Sequence, residues 1–172
     1  MRAIPLTLLL LVLPLLTREA RSPERPPLRL LTYAEVQLRM HLNIMQYAES
    51  RGDPNAVGRG YYRGWYSIGR AAAKDVGVPY DSLFIPRWAD TAMIRYMRVN
   101  RGYLEDCRGY VGGTIKDIPI TWSKLLSAAH LCGHVAVREW LTTKGKTNRR
   151  DGNGKSVEDY MRMMEGVNLI GI

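Results

Sequence analysis

The chain has 172 residues, 46% of them hydrophobic, which is enough for one domain with its own core and too apolar for a disordered polymer. A formal net charge of +9, from 25 Lys and Arg against 16 Asp and Glu, points to an anionic partner. Nucleic acid is set aside, because the basic residues are scattered (Arg51, Arg59, Arg63, Arg70, Arg95, Arg98, Arg101) and no nucleic-acid-binding motif accompanies them.

Met1-Arg2-Ala3 leads into Ile4–Leu16, apolar apart from Thr7 and interrupted by Pro5 and Pro14, and charge resumes at Arg18 and Glu19. A bilayer-spanning helix needs about 20 apolar residues, so this run fits the core of a secretory signal peptide instead. Residues 1–20 are therefore expected to be a signal peptide, with Thr17 and Ala20 as candidate small residues before the cut, and the mature protein to be periplasmic or secreted. Residues 21–30, rich in proline and arginine, read as an extended lead into a single domain over 31–172. No later segment is apolar enough for a stable membrane span.

The spacing of Val36, Met40, Ile44, Met45 and Ala48 predicts a helix over Tyr33–Glu49, with Thr32 as its N-cap. A loop of Gly, Pro, Asn and Tyr follows over 52–64, and a second helix is expected from Trp65 to Val76, ended by Gly77 and Pro79. Pro86 opens a third helix to Arg101, with Ala89, Met93, Ile94, Met97 and Val99 mostly on one face, and Tyr103–Cys107 adds a helical turn. The stretch 110–120 reads either as a small hairpin or as irregular loop. Thr121–Leu141 is apolar on most sides, as a central buried helix is, and Ser156-Val157-Glu158-Asp159 has the form of a capping box for a last helix. The fold class is all-α, α+β at most, around one core helix.

Chemistry concentrates at Glu49. A carboxyl at a helix end, just before a Gly/Pro/Asn loop, can be half-buried at the lip of a cleft, and burial raises its pKa toward what a general acid needs near neutral pH. Glycosidases that use two carboxylates hold them roughly 5–9.5 Å apart, and none of Asp53, Asp75, Asp106 and Asp151 sits in a motif that marks it as a partner. No metal site is expected: in His130-x-Cys132-x-His134 the two histidines share a helical face but the cysteine points away. His41 reads as a surface or half-buried histidine. Cys107 and Cys132 either pair, as export permits, or pack as separate thiols.

The order Glu49-Ser50, Asn55-Ala56-Val57, Gly64 and then a helix, with Ala129-His130-Leu131 further on, resembles the lysozyme-like lytic transglycosylases. The likeness extends to a phage and bacterial subgroup of wall-lytic domains through Asp151-Gly152-Asn153-Gly154-Lys155-Ser156 and Asp159-Tyr160-Met161, and it spans Tyr47 to Met164. It implies a compact lysozyme-like domain without a cofactor, acting on peptidoglycan glycan strands with Glu49 as the single acid and base. It also implies that Ser50, Asn55, Tyr62, Tyr66, Ser67 and His130 bind substrate or orient the site, with His130 held beneath Glu49 and hydrogen-bonded to its carboxyl. The chain departs from the family pattern where Ser67 stands for a glutamine and His130-Leu131 for Tyr-Asn. Two alternatives stay open: a hydrolysing muramidase, and a non-catalytic wall-binding or secretion-assembly protein on the same fold.

Overall fold

Thr32 starts the first helix, α1 (Tyr33–Ser50), through a capping box in which Glu35 N donates to Thr32 Oγ1 (3.3 Å) and the Glu35 carboxylate accepts from Thr32 N (2.8 Å). The computed structural model describes residues 30–172, so the expected signal peptide (1–20) and all but the last residue of the lead (21–30) lie outside the described residues. Residues 31–172 form one compact unit.

The face of α1 that meets the core is only partly the one its apolar spacing suggests: Met45 is buried and Ile44 packs against the core. Gln37, His41, Leu42 and Met45 are buried, whereas Val36 and Met40 are 38% and 40% exposed. The polar pair goes inside because it has partners there. Gln37 Oε1 accepts from Asn168 N (2.7 Å), and His41 Nδ1 lies 3.2 Å from Ser123 Oγ. His41 is thus fully buried, which corrects the expectation of a surface or half-buried ring.

The expected second helix is shortened to α2 (Arg70–Asp75). Trp65–Ile68 instead belongs to the loop, where Arg63 forms bridges to both Val57 and Ile68 and where Gly64 and Ser67 take left-handed φ of 70° and 48°. A helix cannot pass through two such residues. A 3-10 turn (Tyr80–Phe84) leads to α3 (Pro86–Tyr103), which starts on proline as expected and buries Ala89, Ala92, Met93, Met97 and Asn100. After a second 3-10 turn (Glu105–Tyr110), β1 (Thr114–Ile115) and β2 (Ile118–Pro119) pair antiparallel. The ambiguous stretch is therefore a hairpin. Its turn residues Lys116 and Asp117 have φ of 47° and 63°, the two positive values of a type I′ turn.

The long central helix is two helices. α4 (Trp122–Cys132) and α5 (His134–Thr142) meet at Gly133, whose φ 82° and ψ 150° are open essentially to glycine alone. Every residue of α4 from Trp122 to Ala129 is buried, with α3, α5 and α6 (Val157–Met163) packed around it. Its polar members are paired: Ser127 Oγ donates to the Tyr160 carbonyl (2.9 Å), and Lys124 Nζ reaches Glu165 Oε2 (2.8 Å). The capping box expected at Ser156 and Asp159 starts α6. Both cysteines are free thiols, Cys107 in the core and Cys132 at the end of α4. The described residues thus form a mostly helical unit with one small hairpin, and no helix among them is long and apolar enough to cross a membrane.

Candidate active site

Glu49 sits in the last turn of α1, which ends when Arg51 turns left-handed (φ 57°) and its N–H bonds back to the Gln46 and Tyr47 carbonyls. Ser50 then ties the helix end to the following loop. Its hydroxyl shares a proton between the carbonyls of Gln46 (3.1 Å) and Trp65 (3.0 Å). Trp65 Nε1 donates back to the Gly52 carbonyl (3.0 Å), and Gly64 N to that of Ala56 (3.0 Å). Among the side chains of this loop, that of Ser67 acts on the half-buried Glu49 carboxyl and favours its charged form.

This setting shifts the acid. Burial pushes the Glu49 pKa up to about 7, and the negative charge of Asp151 adds to the rise, while the Ser67 hydrogen bond and the Lys155 ammonium pull the other way. Desolvation wins. Asp151 belongs to the turn 151–156, which its own carboxylate organises: Oδ1 accepts from Asn153 N (2.8 Å) and Lys155 N (2.9 Å), and Oδ2 from the Tyr160 hydroxyl (2.5 Å). The turn therefore places one carboxylate and one ammonium in the field of Glu49. The sequence pointed to this segment by resemblance but assigned Asp151 and Lys155 no part in the site.

The other expected residues divide by depth. Tyr66 is fully buried, its hydroxyl accepting from Gln46 Nε2 (2.8 Å) and donating to Asp90 Oδ1 (2.6 Å), so it orients the loop and presents no surface to a ligand. Gln46 and Asp90 thus support the site without any motif to mark them. Tyr62 is 48% exposed and lies against Gly58, Gly60 and Gly69; the ring carbon Cε1 would come 3.1 Å from a Cβ built on Gly69. Asn55 is exposed and belongs to a turn in which its N–H bonds to Asp53 Oδ1 (2.8 Å).

His130 does not bond to Glu49. Its Nε2 lies 3.0 Å from the Tyr66 carbonyl, and its ring meets Tyr96 edge to face (5.6 Å), which corrects the expectation of a contact with the carboxyl. The loop carbonyl of Tyr66 takes Nε2, and Nδ1 is buried without a partner, so neither nitrogen meets the carboxyl. The break at Gly133 also parts His130 from His134, which stacks on Tyr103 instead (4.3 Å).

Burial lowers the pKa of His130 to about 4 and that of His41 to about 3, each further disfavoured or only weakly opposed by its neighbours. Both values lie below the unfolded 6.5, so the stability they confer is fully present above pH 6.5 and is lost as pH falls through the folded values. The melting temperature is expected to drop between pH 6.5 and 4, by an amount worth on the order of a few kcal/mol. A His130→Phe variant whose melting temperature falls as steeply as that of the parent would remove His130 from this account.

Compared with protein-family models, with curated proteins and with solved structures, the chain matches none of them.

Proposed function

We propose that the protein is an exported peptidoglycan-cleaving enzyme with a lysozyme-like fold, a lytic transglycosylase that works through Glu49 alone. The observation that carries this reading is a half-buried carboxyl whose pKa is about 7, held at the junction of a helix end and a hydrogen-bonded loop. Such a group is protonated at mildly acidic to neutral pH and can give its proton up, which is the property general acid catalysis asks for.

In the proposed reaction Glu49 protonates the oxygen between N-acetylmuramic acid and N-acetylglucosamine as the bond from that oxygen to the muramic C1 breaks. The muramic 6-hydroxyl then bonds to C1 and returns its proton to the Glu49 carboxylate, leaving a 1,6-anhydro ring and a restored acid. No water is consumed. Ser67 favours the charged form of the carboxyl, and Ser50 and His130 hold the loop that carries Ser67.

Asp151 favours a second reading, hydrolysis, because it is the carboxylate whose charge acts on Glu49. Its oxygens are already committed to Asn153, Lys155 and Tyr160, which suits a scaffold better than a base that must take a proton from water. Mass spectrometry of digested peptidoglycan separates the two, since 1,6-anhydro ends are one water lighter than reducing ends. We expect anhydro ends throughout; reducing ends would assign Asp151 the role of base.

Activity should also fall on both sides of a mildly acidic window. Above pH 7 Glu49 loses the proton it must deliver, and toward pH 4 the buried histidines take up protons that the fold opposes. A rate that climbs steadily to pH 9 would be incompatible with Glu49 as the acid.

A further inference from the structure

α1 carries a second feature beside its catalytic carboxyl. Ile44, Tyr47 and Ala48 on α1, with Met163 of α6, wall a hollow of about 470 Å3 whose charged residues are Arg51 and Lys155. No acidic residue lines it. Arg51 lies over the Tyr47 ring (4.6 Å to its centre), which fixes the guanidinium at the rim, and Tyr47 is 62% exposed. The hollow is linked to the site by Lys155, which lines it while acting electrostatically on Glu49.

We propose that this hollow binds the carboxylate-bearing stem peptide attached to the muramic acid residue at which Glu49 acts, so that the enzyme prefers peptide-substituted over bare glycan. The proposal rests on the peptidoglycan reading above. An apolar wall with a cationic rim is complementary to a short peptide that offers methyl groups along its length and carboxylates at its end and side chain. Bare glycan, neutral except for its lactyl group, has little to offer two cations. The position fits as well, since the peptide hangs from the same sugar whose C1 bond is cut, and Lys155, which lines the hollow, also acts on Glu49.

The test compares cleavage of intact glycan strands with strands stripped of peptide by an amidase, and measures binding of N-acetylmuramoyl-tetrapeptide by NMR. Intact strands should be cut about tenfold faster, as two partly exposed charge pairs would give. Arg51→Gln combined with Lys155→Gln should bring the ratio close to one and abolish the NMR shifts of Ile44, Tyr47 and Ala48. Arg51→Lys with Lys155→Arg, which keeps both charges, should restore them. Equal rates on the two substrates, or tetrapeptide shifts that map away from this hollow, would overturn the proposal. If neither substrate is cut but the tetrapeptide binds here in a charge-dependent way, the peptide site stands and the catalytic reading of Glu49 fails instead.

Discussion

Glu49→Gln is expected to lower the proposed wall-lytic activity by roughly 10²–10⁴-fold, the usual cost of removing a general acid, and at the same time to make the folded protein more stable above pH 7. The second effect follows from the sign of the pKa shift. A carboxyl raised from 4.5 to about 7 on folding is content when protonated and strained when charged. Its favourable contribution is complete below pH 4.5 and is lost as pH rises through 7. At pH 8 the buried charge costs the fold on the order of 1–3 kcal/mol after allowance for partial exposure, and an amide of the same shape removes that cost. Paired urea denaturation at pH 5 and pH 8, with turbidity clearing of wall fragments, measures both. A variant that still clears walls would end the assignment of Glu49, and one whose stability gain is the same at both pH values would show that the carboxyl is not strained by its charge.

Gly64→Ala should be the most damaging small change in the loop. At φ 70° an alanine is already strained, and its Cβ would come 2.2 Å from the Leu83 carbonyl oxygen and 3.0 Å from the carbonyl carbon, neither of which belongs to a flexible side chain. The loop and the 3-10 turn Tyr80–Phe84 would have to part, at a cost of about 2–5 kcal/mol. Ser67, three residues on, would move away from Glu49, so the rate should fall even at temperatures where the variant is folded. Gly58→Ala is the control, because its Cβ would meet nothing closer than Tyr62 Cβ at 3.5 Å and its φ is not left-handed. Similar urea midpoints for the two variants would show that the close packing of Gly64 against Leu83 does not constrain the loop.

Much of this architecture is legible in local chemistry. Thr32 with Glu35, Pro86 and Ser156 with Asp159 mark helix starts through hydrogen bonds or ring geometry that act within four residues, and all three helices begin there. Legibility fails where a distant partner decides. The inward turn of Gln37 and His41 depends on Asn168 and Ser123, which no periodicity in α1 can announce. The break at Gly133 was obscured by apolar residues on both sides, although a glycine there was the available signal. At the site, Glu49 and Ser50 are readable from their place at a helix end. Ser67 is named by the resemblance, but its left-handed backbone is not readable, since it forms within a loop bridged at Arg63 to Val57 and Ile68. His130 illustrates the converse: its residue type and helix were anticipated, but its partner is a main-chain carbonyl that carries no side-chain signature.

The loop that follows Glu49 is held mostly by its own main-chain oxygens. Ser50 grips the carbonyl of Trp65, His130 that of Tyr66, Trp65 that of Gly52 and Gly64 that of Ala56. A carbonyl is present whatever the side chain, so Ala56 is not held to its identity by the bond it accepts, whereas Ser50, Trp65 and His130 donate from their side chains, Tyr66 is held by its own hydroxyl and Gly64 by its packing against Leu83. Mutational tolerance should therefore be uneven along a stretch that looks uniform: Gly52 apart, whose left-handed φ restricts it, Ala56 and exposed neighbours such as Arg59 and Tyr61 form a surface that can be diversified, framed by Ser50, Gly64, Trp65 and His130 as fixed posts. A saturation library across residues 50–67 and 130, sorted for retained fold, would recover that pattern and mark where new substrate preferences can be written onto an unchanged frame.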